Sequence, residues 1–229
     1  MREGAYRMFR FHDRVHAGQY LAERLLPYAQ APDAVVLGLP RGGVVVAAEV
    51  ARRLGLPLEV FVVRKLGVPG YEELAMGAIA TGGVRVMNEE VLRQISVSAA
   101  AIEAVTRREE QELARREEAY RGKGPRRDVK GLTVILVDDG LATGATMRAA
   151  VRALRGQAPR RIVVAVPTAA PGTCDEFRAE VDEVLCGITP TPFHAVGAWY
   201  EDFSQTTDEE VRYLLESPGW AKGSTGAER

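Results

Sequence analysis

The sequence predicts an α/β fold, a mostly parallel sheet with helices on both faces and a small hood or flap region. Short apolar runs recur along the chain, and helical segments separate them in strict alternation. Turns rich in glycine and proline mark the junctions. Because parallel strands need a crossover connection, each helix between two strands is expected to pack on a face of the sheet.

The first half of the chain contains the elements that are expected to open the sheet. They are an amphipathic helix at 11–30, a buried strand at 34–40, a Gly-rich turn and helix at 41–55, a second buried strand at 58–66, a loop at 67–73 and a hairpin at 73–88. Gly82 and Gly83 supply the turn of that hairpin. Residues 89–121 are dense in Glu and Arg and predict a long, mostly solvated helix or a helix pair.

The second half continues the alternation. A loop is expected at 122–131, strands at 133–139, 161–168 and 182–189, and helices at 145–156, 174–181 and 207–216. Thr207 is the expected N-cap of the last helix. These elements favour a single domain over 1–217, with its core at about 30–190, a hood from about 189–203 plus the terminal helices, and a disordered tail at 218–229.

Composition and charge argue against several classes of protein. The 229 residues carry 30 Lys plus Arg against 31 Asp plus Glu, a net charge of -1 that is unlike a protein coating nucleic acid or an anionic membrane. No apolar run reaches the ~18–20 residues that span a bilayer, and the N-terminus lacks the apolar region of a secretory signal. Cys174 and Cys186 show no disulfide framework or metal spacing, so two unpaired thiols in a reduced, cytoplasmic protein are expected.

The most informative stretch is VILVDDGLATGATM at 134–147. A buried strand ends in Asp138 and Asp139, and a loop of small residues then opens a helix at about Ala145. Small residues leave backbone N–H groups open, and the helix N-terminus favours an anion, so residues 140–146 predict a cradle for one phosphate. Two adjacent acids could accept hydrogen bonds from the two hydroxyls of a ribose. The stretch therefore predicts a ribose 5-phosphate site.

Competing interpretations of this stretch fit less well. A Walker A loop requires a lysine after Gly144, and a dinucleotide fingerprint requires GxGxxG after a strand. The acid pair of a response-regulator receiver domain follows the first strand, whereas this pair follows about 130 residues. A simple helix N-cap turn with exposed acids remains an alternative.

A second loop, LPRGG at 39–43, is expected at the same edge of the sheet. Gly42 and Gly43 permit close approach to a diphosphate, and Arg41 adds a fixed positive charge. The alternative is an ordinary strand-to-helix turn with an exposed arginine. In open parallel sheets, ligands bind at the carboxyl ends of the strands, where both loops fall.

The 134–147 stretch resembles the signature of the type I phosphoribosyltransferases, which use 5-phosphoribosyl 1-pyrophosphate. RKLGVPGYEELAMGAIA and GAWYEDFSQTTDEEV also resemble a bacterial group of predicted members of that family. The resemblance implies that Asp138 and Asp139 bind the ribose hydroxyls. The implied 5′-phosphate loop consists of Gly140, Leu141, Ala142, Thr143, Gly144, Ala145 and Thr146. Pro40, Arg41, Gly42 and Gly43 would belong to the pyrophosphate loop.

The resemblance also implies roles for residues outside these two loops. Arg64 and Lys65 match basic residues at the mouth of a flexible loop, and 67–73 matches the loop itself, although it is short and carries Glu72 and Glu73. In this family an aromatic hood binds the acceptor. The candidate rings are Phe193, His194, Trp199, Tyr200 and Phe203, with Trp199 and Tyr200 favoured, while aromatic side chains that pin a terminal helix to the core are the alternative.

The implied reaction is displacement of pyrophosphate at ribose C1 by a nucleobase or related nitrogen acceptor. Asp138, Asp139, Lys65 and Arg41 would be the catalytic groups, and Mg²⁺ would arrive with the diphosphate. A homodimer is expected from the resemblance. One rival interpretation is a regulator of the same fold that senses 5-phosphoribosyl 1-pyrophosphate and binds nucleic acid through the basic stretch 121–131. A phosphosugar hydrolase and an interaction module are two further rival interpretations.

Overall fold

A computed structural model describes residues 9–121 and 127–217 of the chain. The predicted disordered tail at 218–229 and the first half of the predicted loop at 122–131 lie outside the described residues. The single-domain boundary at 217 therefore stays a prediction.

The main sheet has five parallel strands in the order β2-β1-β6-β7-β8. Its strands are β1 (Ala34–Gly38), β2 (Leu58–Val60), β6 (Thr133–Val137), β7 (Arg161–Thr168) and β8 (Glu183–Ile188). Every residue of β1 and β6 is buried, because helices cover both faces of the sheet at its centre. The predicted mostly parallel sheet with helices on both faces is confirmed.

Two groups of helices cover the two faces. On one face, α1 (Arg14–Arg24) and α2 (Gly42–Leu54) pack on the sheet with α7 (Asp208–Glu216) beside them. On the other face lie α5 (Ala145–Gly156) and α6 (Pro171–Glu180). The predicted helix at 11–30 is shorter than expected, and a 3₁₀ turn at Leu26–Tyr28 follows it, because Pro27 interrupts the α-helical hydrogen bonding.

A separate antiparallel sheet consists of β3 (Val63–Val68), β4 (Tyr71–Ala80) and β5 (Val84–Met87). It packs against α5 on one side and against α4 (Ala99–Arg121) on the other, with α3 (Glu89–Gln94) beyond β5. The hairpin turn at Gly82 and Gly83 is confirmed, because both residues have positive φ. The segment 89–121 is a helix pair.

The prediction of one strand over 58–66 is wrong. The chain leaves the main sheet after Val60 and enters the antiparallel sheet at Val63. Between them, Phe61 N–H still donates to the Gly38 carbonyl in the main sheet, whereas Val62 N–H already bonds the Thr81 hydroxyl. A continuous apolar run shows that both strands are buried, but it cannot show that they belong to different sheets.

The prediction of a loop at 67–73 is also wrong. Residues 67–68 complete β3, Pro69 and Gly70 form the turn, and β4 begins at Tyr71. Gly70 has φ of +81°, which allows this tight connection. Gly and Pro marked the turn correctly, but the flanking residues pair with each other instead of remaining irregular.

The prediction of two unpaired cysteines is contradicted by a disulfide between Cys174 of α6 and Cys186 of β8. The helix packs against this edge strand, and both side chains point to the same face. Twelve residues separate the two cysteines, and that spacing alone gave no sign of the pairing. Within the described part of the chain, no helix is long and apolar enough to cross a membrane.

Candidate active site

Among the described residues, three helices begin at the carboxyl edge of the main sheet without a side-chain cap, and two of them, α2 and α5, follow the candidate loops. α2 follows Arg41 and α5 follows Gly144, and neither residue bonds the first turn with its side chain. By contrast, α1, α3 and α7 begin at Asp13, Asn88 and Thr207, which accept hydrogen bonds from backbone N–H groups. The first N–H groups of α2 and α5 are therefore open to an anion.

The acid pair packs directly on the glycines of α2. A Cβ added at Gly42 would lie 2.0 Å from Asp139 Oδ2, and one added at Gly43 would lie 2.8 Å from Asp138 Oδ1 and from Asp138 Cα. No side chain larger than hydrogen fits at either position without displacing a carboxylate. The LPRGG loop and the DDGLATGAT loop are thus one interlocked unit, although about 95 residues separate them.

Asp139 is held from three directions. Arg14 Nε donates to its Oδ2 at 2.8 Å, the Tyr200 hydroxyl donates to its backbone carbonyl at 2.5 Å, and its own N–H donates to Asp138 Oδ1 at 2.8 Å. The Arg14 and Asp139 side chains are only 11% and 17% exposed. An ion pair this well shielded keeps the acid in one orientation far better than a surface pair would.

The surroundings of Asp138 and Asp139 favour a state in which the two carboxyl groups keep one proton between them. Burial, together with the neighbouring Asp139 carboxylate, raises the pKa of Asp138 well above its ordinary value. Burial also raises the pKa of Asp139, although the hydrogen bond and charge of Arg14 oppose this shift. The site is thus built to hold one ionised carboxylate more readily than two.

The loop at 140–146 is anchored at its start and open at its centre. Leu141 N–H donates to the Thr168 carbonyl, and the Leu141 carbonyl accepts from Ala170 N–H. Gly144 has φ of +74°, and a Cβ there would lie 2.7 Å from the Phe177 ring. The side chains of Ala142, Thr143, Ala145 and Thr146 are exposed. A fixed backbone with small exposed side chains suits close approach by a phosphate.

Two side chains that sequence reasoning missed brace this loop from outside. The Thr173 hydroxyl at the start of α6 donates to the Ala142 carbonyl at 2.6 Å. Arg148 donates to the Thr143 carbonyl at 2.8 Å and also pairs with Glu176 and Glu180 on α6. Apart from the bond to Thr143, these contacts join residues about 30 positions apart, so no local pattern indicates them.

The three predicted cations differ in their surroundings. The Arg41 guanidinium lies 3.9 Å from Asp208 of α7. Arg64 makes two hydrogen bonds to Glu109 of α4, a carboxylate whose side chain is 8% exposed. Lys65 faces the opposite side of β3 and lines a cavity of about 210 Å³ together with Ala145 and Arg148 of α5. Lys65 therefore lies beside the phosphate loop, whereas Arg64 is bonded to α4.

The aromatic segment lies over the start of the loop. A Cβ at Gly140 would lie 2.3 Å from Val196 Cγ1, so the segment packs on the loop backbone. Trp199 is 7% exposed, and its indole Nε1 is buried with no hydrogen-bond partner among the described residues. It borders a cavity of about 440 Å³ whose lining is completed by Phe9, Ile188, Thr189, Pro190 and Thr191. Tyr200 is 3% exposed, and His194 is exposed.

The structure thus brings together the acid pair, both glycines of LPRGG and Tyr200, with the phosphate loop continuing from Asp139. Phe203 is linked to the acid pair through Arg14, whose guanidinium lies 3.9 Å from the Phe203 ring centroid. Phe193 stacks on Trp199 at 6.5 Å between centroids. Arg14 itself was missed, because an arginine that opens an amphipathic helix gives no local sign of a partner 125 residues away.

Comparisons with known proteins identify the family of this chain. The model of the phosphoribosyl transferase domain family matches residues 13–201. Two provisionally named phosphoribosyl transferases from strains of Mycobacterium tuberculosis are 48% identical over 206 residues, 90% of this chain and 46% of each relative. The chain thus spans about half the length of the curated relatives it matches.

A solved structure gives the fold comparison. The crystal structure of TT1426 from Thermus thermophilus is 48% identical and overlays with a TM-score of 0.82, covering 90% of this chain and 98% of that chain. The family match extends from the start of α1 through the loop at 140–146 to the aromatic segment. The chain belongs to the phosphoribosyltransferase family.

Proposed function

We propose that this protein transfers ribose 5-phosphate from 5-phosphoribosyl 1-pyrophosphate to a nitrogen acceptor, a nucleobase or a related compound. The observation that carries the proposal is the packing of Asp138 and Asp139 on Gly43 and Gly42. A diol-binding acid pair, a phosphate loop and a second uncapped helix N-terminus lie at one edge of the sheet. These three parts correspond to the ribose, the 5′-phosphate and the pyrophosphate of the donor.

The chemistry that this arrangement supports is a displacement at ribose C1. The acceptor nitrogen forms a bond to C1 while the bond from C1 to the pyrophosphate oxygen breaks, and the electron pair leaves with pyrophosphate. The proton of the acceptor nitrogen passes to solvent or to a nearby base. Positive charge develops on the sugar in such a transition state, and the nearby Asp138–Asp139 pair would stabilise it.

Each group of the chain has a binding or orienting role in this proposal. The backbone N–H groups of 140–146 and the hydroxyls of Thr143 and Thr146 bind the 5′-phosphate. Arg41 and the first turn of α2 bind the pyrophosphate. Lys65 lies beside the start of α5 and would add positive charge near the phosphates of the donor. Arg64 supports β3 through its bonds to Glu109.

The residues present fit Mg²⁺ that is carried by the substrate. In the described ranges, no group of three or more His, Cys, Asp or Glu side chains could hold a metal ion. Mg²⁺ prefers oxygen ligands and commonly takes them from substrate phosphates with one or two carboxylates. The diphosphate would therefore supply most ligands, and the ion would neutralise charge on the leaving group.

The cavity beside Trp199 is the proposed acceptor subsite. It is lined largely by apolar groups, and Trp199 forms part of its wall, while the buried Nε1–H of Trp199 has no partner within the described ranges. A flat ring with a carbonyl or ring-nitrogen acceptor at its edge fits such a site. The proposed setting is a cytoplasmic homodimer, which light scattering and cell fractionation would test.

Calorimetric titration of 5-phosphoribosyl 1-pyrophosphate, with and without Mg²⁺, tests the proposed function. We expect binding that Mg²⁺ strengthens, followed by pyrophosphate release when the correct base from a panel is added. Absence of donor binding under both conditions would contradict the proposal. Donor binding with salt-dependent nucleic-acid affinity and no turnover would favour a sensing regulator instead.

A further inference from the structure

Arg14 of α1 is a buried cation whose contacts lead to the candidate active site. Its Nε donates to Asp139 Oδ2 at 2.8 Å, and its Nη1 donates to the Ser204 carbonyl at 2.7 Å. Its guanidinium lies close enough to Phe203 for a cation–π contact, with 3.9 Å to the ring centroid. Three separate contacts fix the guanidinium, so its position determines that of the carboxylate.

We propose that Arg14 is the positioning residue that keeps Asp139 turned toward the ribose 2′- and 3′-hydroxyls, so that the N-terminal helix is part of the donor site. This inference rests on the proposed function, because it assumes that the Asp138–Asp139 pair binds a ribose diol. Arg14 itself is 9% exposed and is not expected to touch the sugar.

The geometry of Asp139 shows why it needs an external partner. Its Oδ2 lies against Gly42, and Arg14 Nε approaches the same point. A carboxylate has about four acceptor positions, so one bond to arginine leaves the others for hydroxyl donors. Without the guanidinium, the buried carboxyl would lose both its anchor and the positive charge that favours its ionised form.

Helix α1 does not need Arg14 for its own attachment. Asp13 caps the helix by accepting from His16 N–H, and the buried Leu21 and Leu25 contribute to the core shared with α2. The Tyr200 hydroxyl, moreover, holds the Asp139 backbone and not its side chain. Among these contacts, the bond from Arg14 is the one that acts on the carboxylate group, so loss of Arg14 should alter sugar recognition before it alters the fold.

The test compares ribose 5-phosphate with 2-deoxyribose 5-phosphate by calorimetric titration into the full chain. The two probes share the phosphate and differ by one hydroxyl, so their affinity ratio reports the diol clamp alone. For the unaltered protein we expect a preference of about tenfold for the ribose compound, the usual effect of one hydrogen bond to a charged group. Arg14→Met should reduce this preference to about twofold, and Arg14→Lys should restore part of it.

Arg53→Met is the matched control, because Arg53 pairs with Glu23 of α1 at the exposed side of the same helix pair. It should leave the preference unchanged. If Arg14→Met fails to fold, Phe203→Leu removes the ring under the guanidinium while keeping the arginine, and an intermediate preference is expected.

An unchanged preference in a folded Arg14→Met protein, or in both Arg14→Lys and Phe203→Leu, would overturn the role of Arg14 and leave the proposed function standing. Failure of the unaltered protein to bind either sugar phosphate or 5-phosphoribosyl 1-pyrophosphate would remove the proposed function and this inference together.

Discussion

The proposed donor region and the hairpin region of this protein place charged and polar groups by different means. In the proposed donor region, two loops present open backbone N–H groups, and two glycines pack against two carboxylates. In the antiparallel sheet, binding depends on long side chains, and adjacent residues of β3 project to opposite sides, Arg64 toward α4 and Lys65 toward α5. Backbone recognition leaves a local pattern in the sequence, whereas side-chain recognition depends on which neighbour the fold provides.

The largest expected effect is that of adding a side chain at Gly42, where the two loops pack together. Gly42→Ala should reduce affinity for 5-phosphoribosyl 1-pyrophosphate by about 100-fold or more, because the new Cβ displaces Asp139 Oδ2 and the Arg14 bond, each contact being worth about 1.5–3 kcal/mol. Calorimetric titration measures this loss. Gly172→Ala is the matched control, because no described atom lies within 4 Å of a Cβ at that helical position. Equal behaviour of the two variants would show that the close packing at Gly42 has no functional consequence.

The second prediction separates binding from stability at Asp138. Asp138→Asn should weaken donor binding by about 10-fold or more, yet raise stability at pH 7 by about 1 kcal/mol, a usual gain at a strained functional site. Because the pKa of Asp138 is raised in the folded state, its ionisation lowers stability as pH rises above the unfolded value of 3.8, and the cost persists above the folded pKa. The stability difference should therefore shrink as pH falls toward 3.8. Thermal unfolding of both proteins from about pH 4 to about pH 8 measures it.

The third prediction contrasts the two cations of β3. Arg64→Gln should lower the free energy of unfolding by about 3 kcal/mol, because it leaves the buried Glu109 carboxylate without its main partner. Lys65→Gln should weaken donor binding several-fold and lower stability less than Arg64→Gln does. Adding Glu109→Gln to Arg64→Gln should recover part of the lost stability. The opposite pattern, with Lys65 structural and Arg64 functional, would reverse the assignment of the two side chains.

The smallest expected effect concerns the brace under the phosphate loop. Thr173→Val removes the hydroxyl that donates to the Ala142 carbonyl, which costs about 1 kcal/mol and should weaken ribose 5-phosphate binding about threefold to fivefold. Thr173→Ser keeps the donor and serves as the control. Identical affinity in the valine and serine variants would mean that the loop holds its shape without α6.

These contrasts explain what the sequence could predict. The alternating strands and helices, the helix at 145–156 and the N-cap at Thr207 follow from local patterns, and the structure confirms them. The position of the DDGLATGAT and LPRGG loops at one edge of the sheet could be predicted because glycines and strand ends are visible in the local sequence. The split of 58–66 between two sheets and the Cys174–Cys186 bond depend on tertiary neighbours. So does Arg14, whose partner is fixed only when α1 packs beside α2.

The contact between Gly140 and Val196 limits the substitutions that two distant parts of the chain can accept. Gly140, the first residue of the predicted phosphate loop, also packs against the aromatic segment. A Cβ added at Gly140 would lie 2.3 Å from Val196 Cγ1. A lineage that changes the rings around Trp199 can change residues 140 and 196 only together, because any side chain at 140 requires a smaller one at 196. Substitutions at these two positions should therefore be inherited as a pair, and a segment grafted from a relative will seat only if it brings its own residue for that contact.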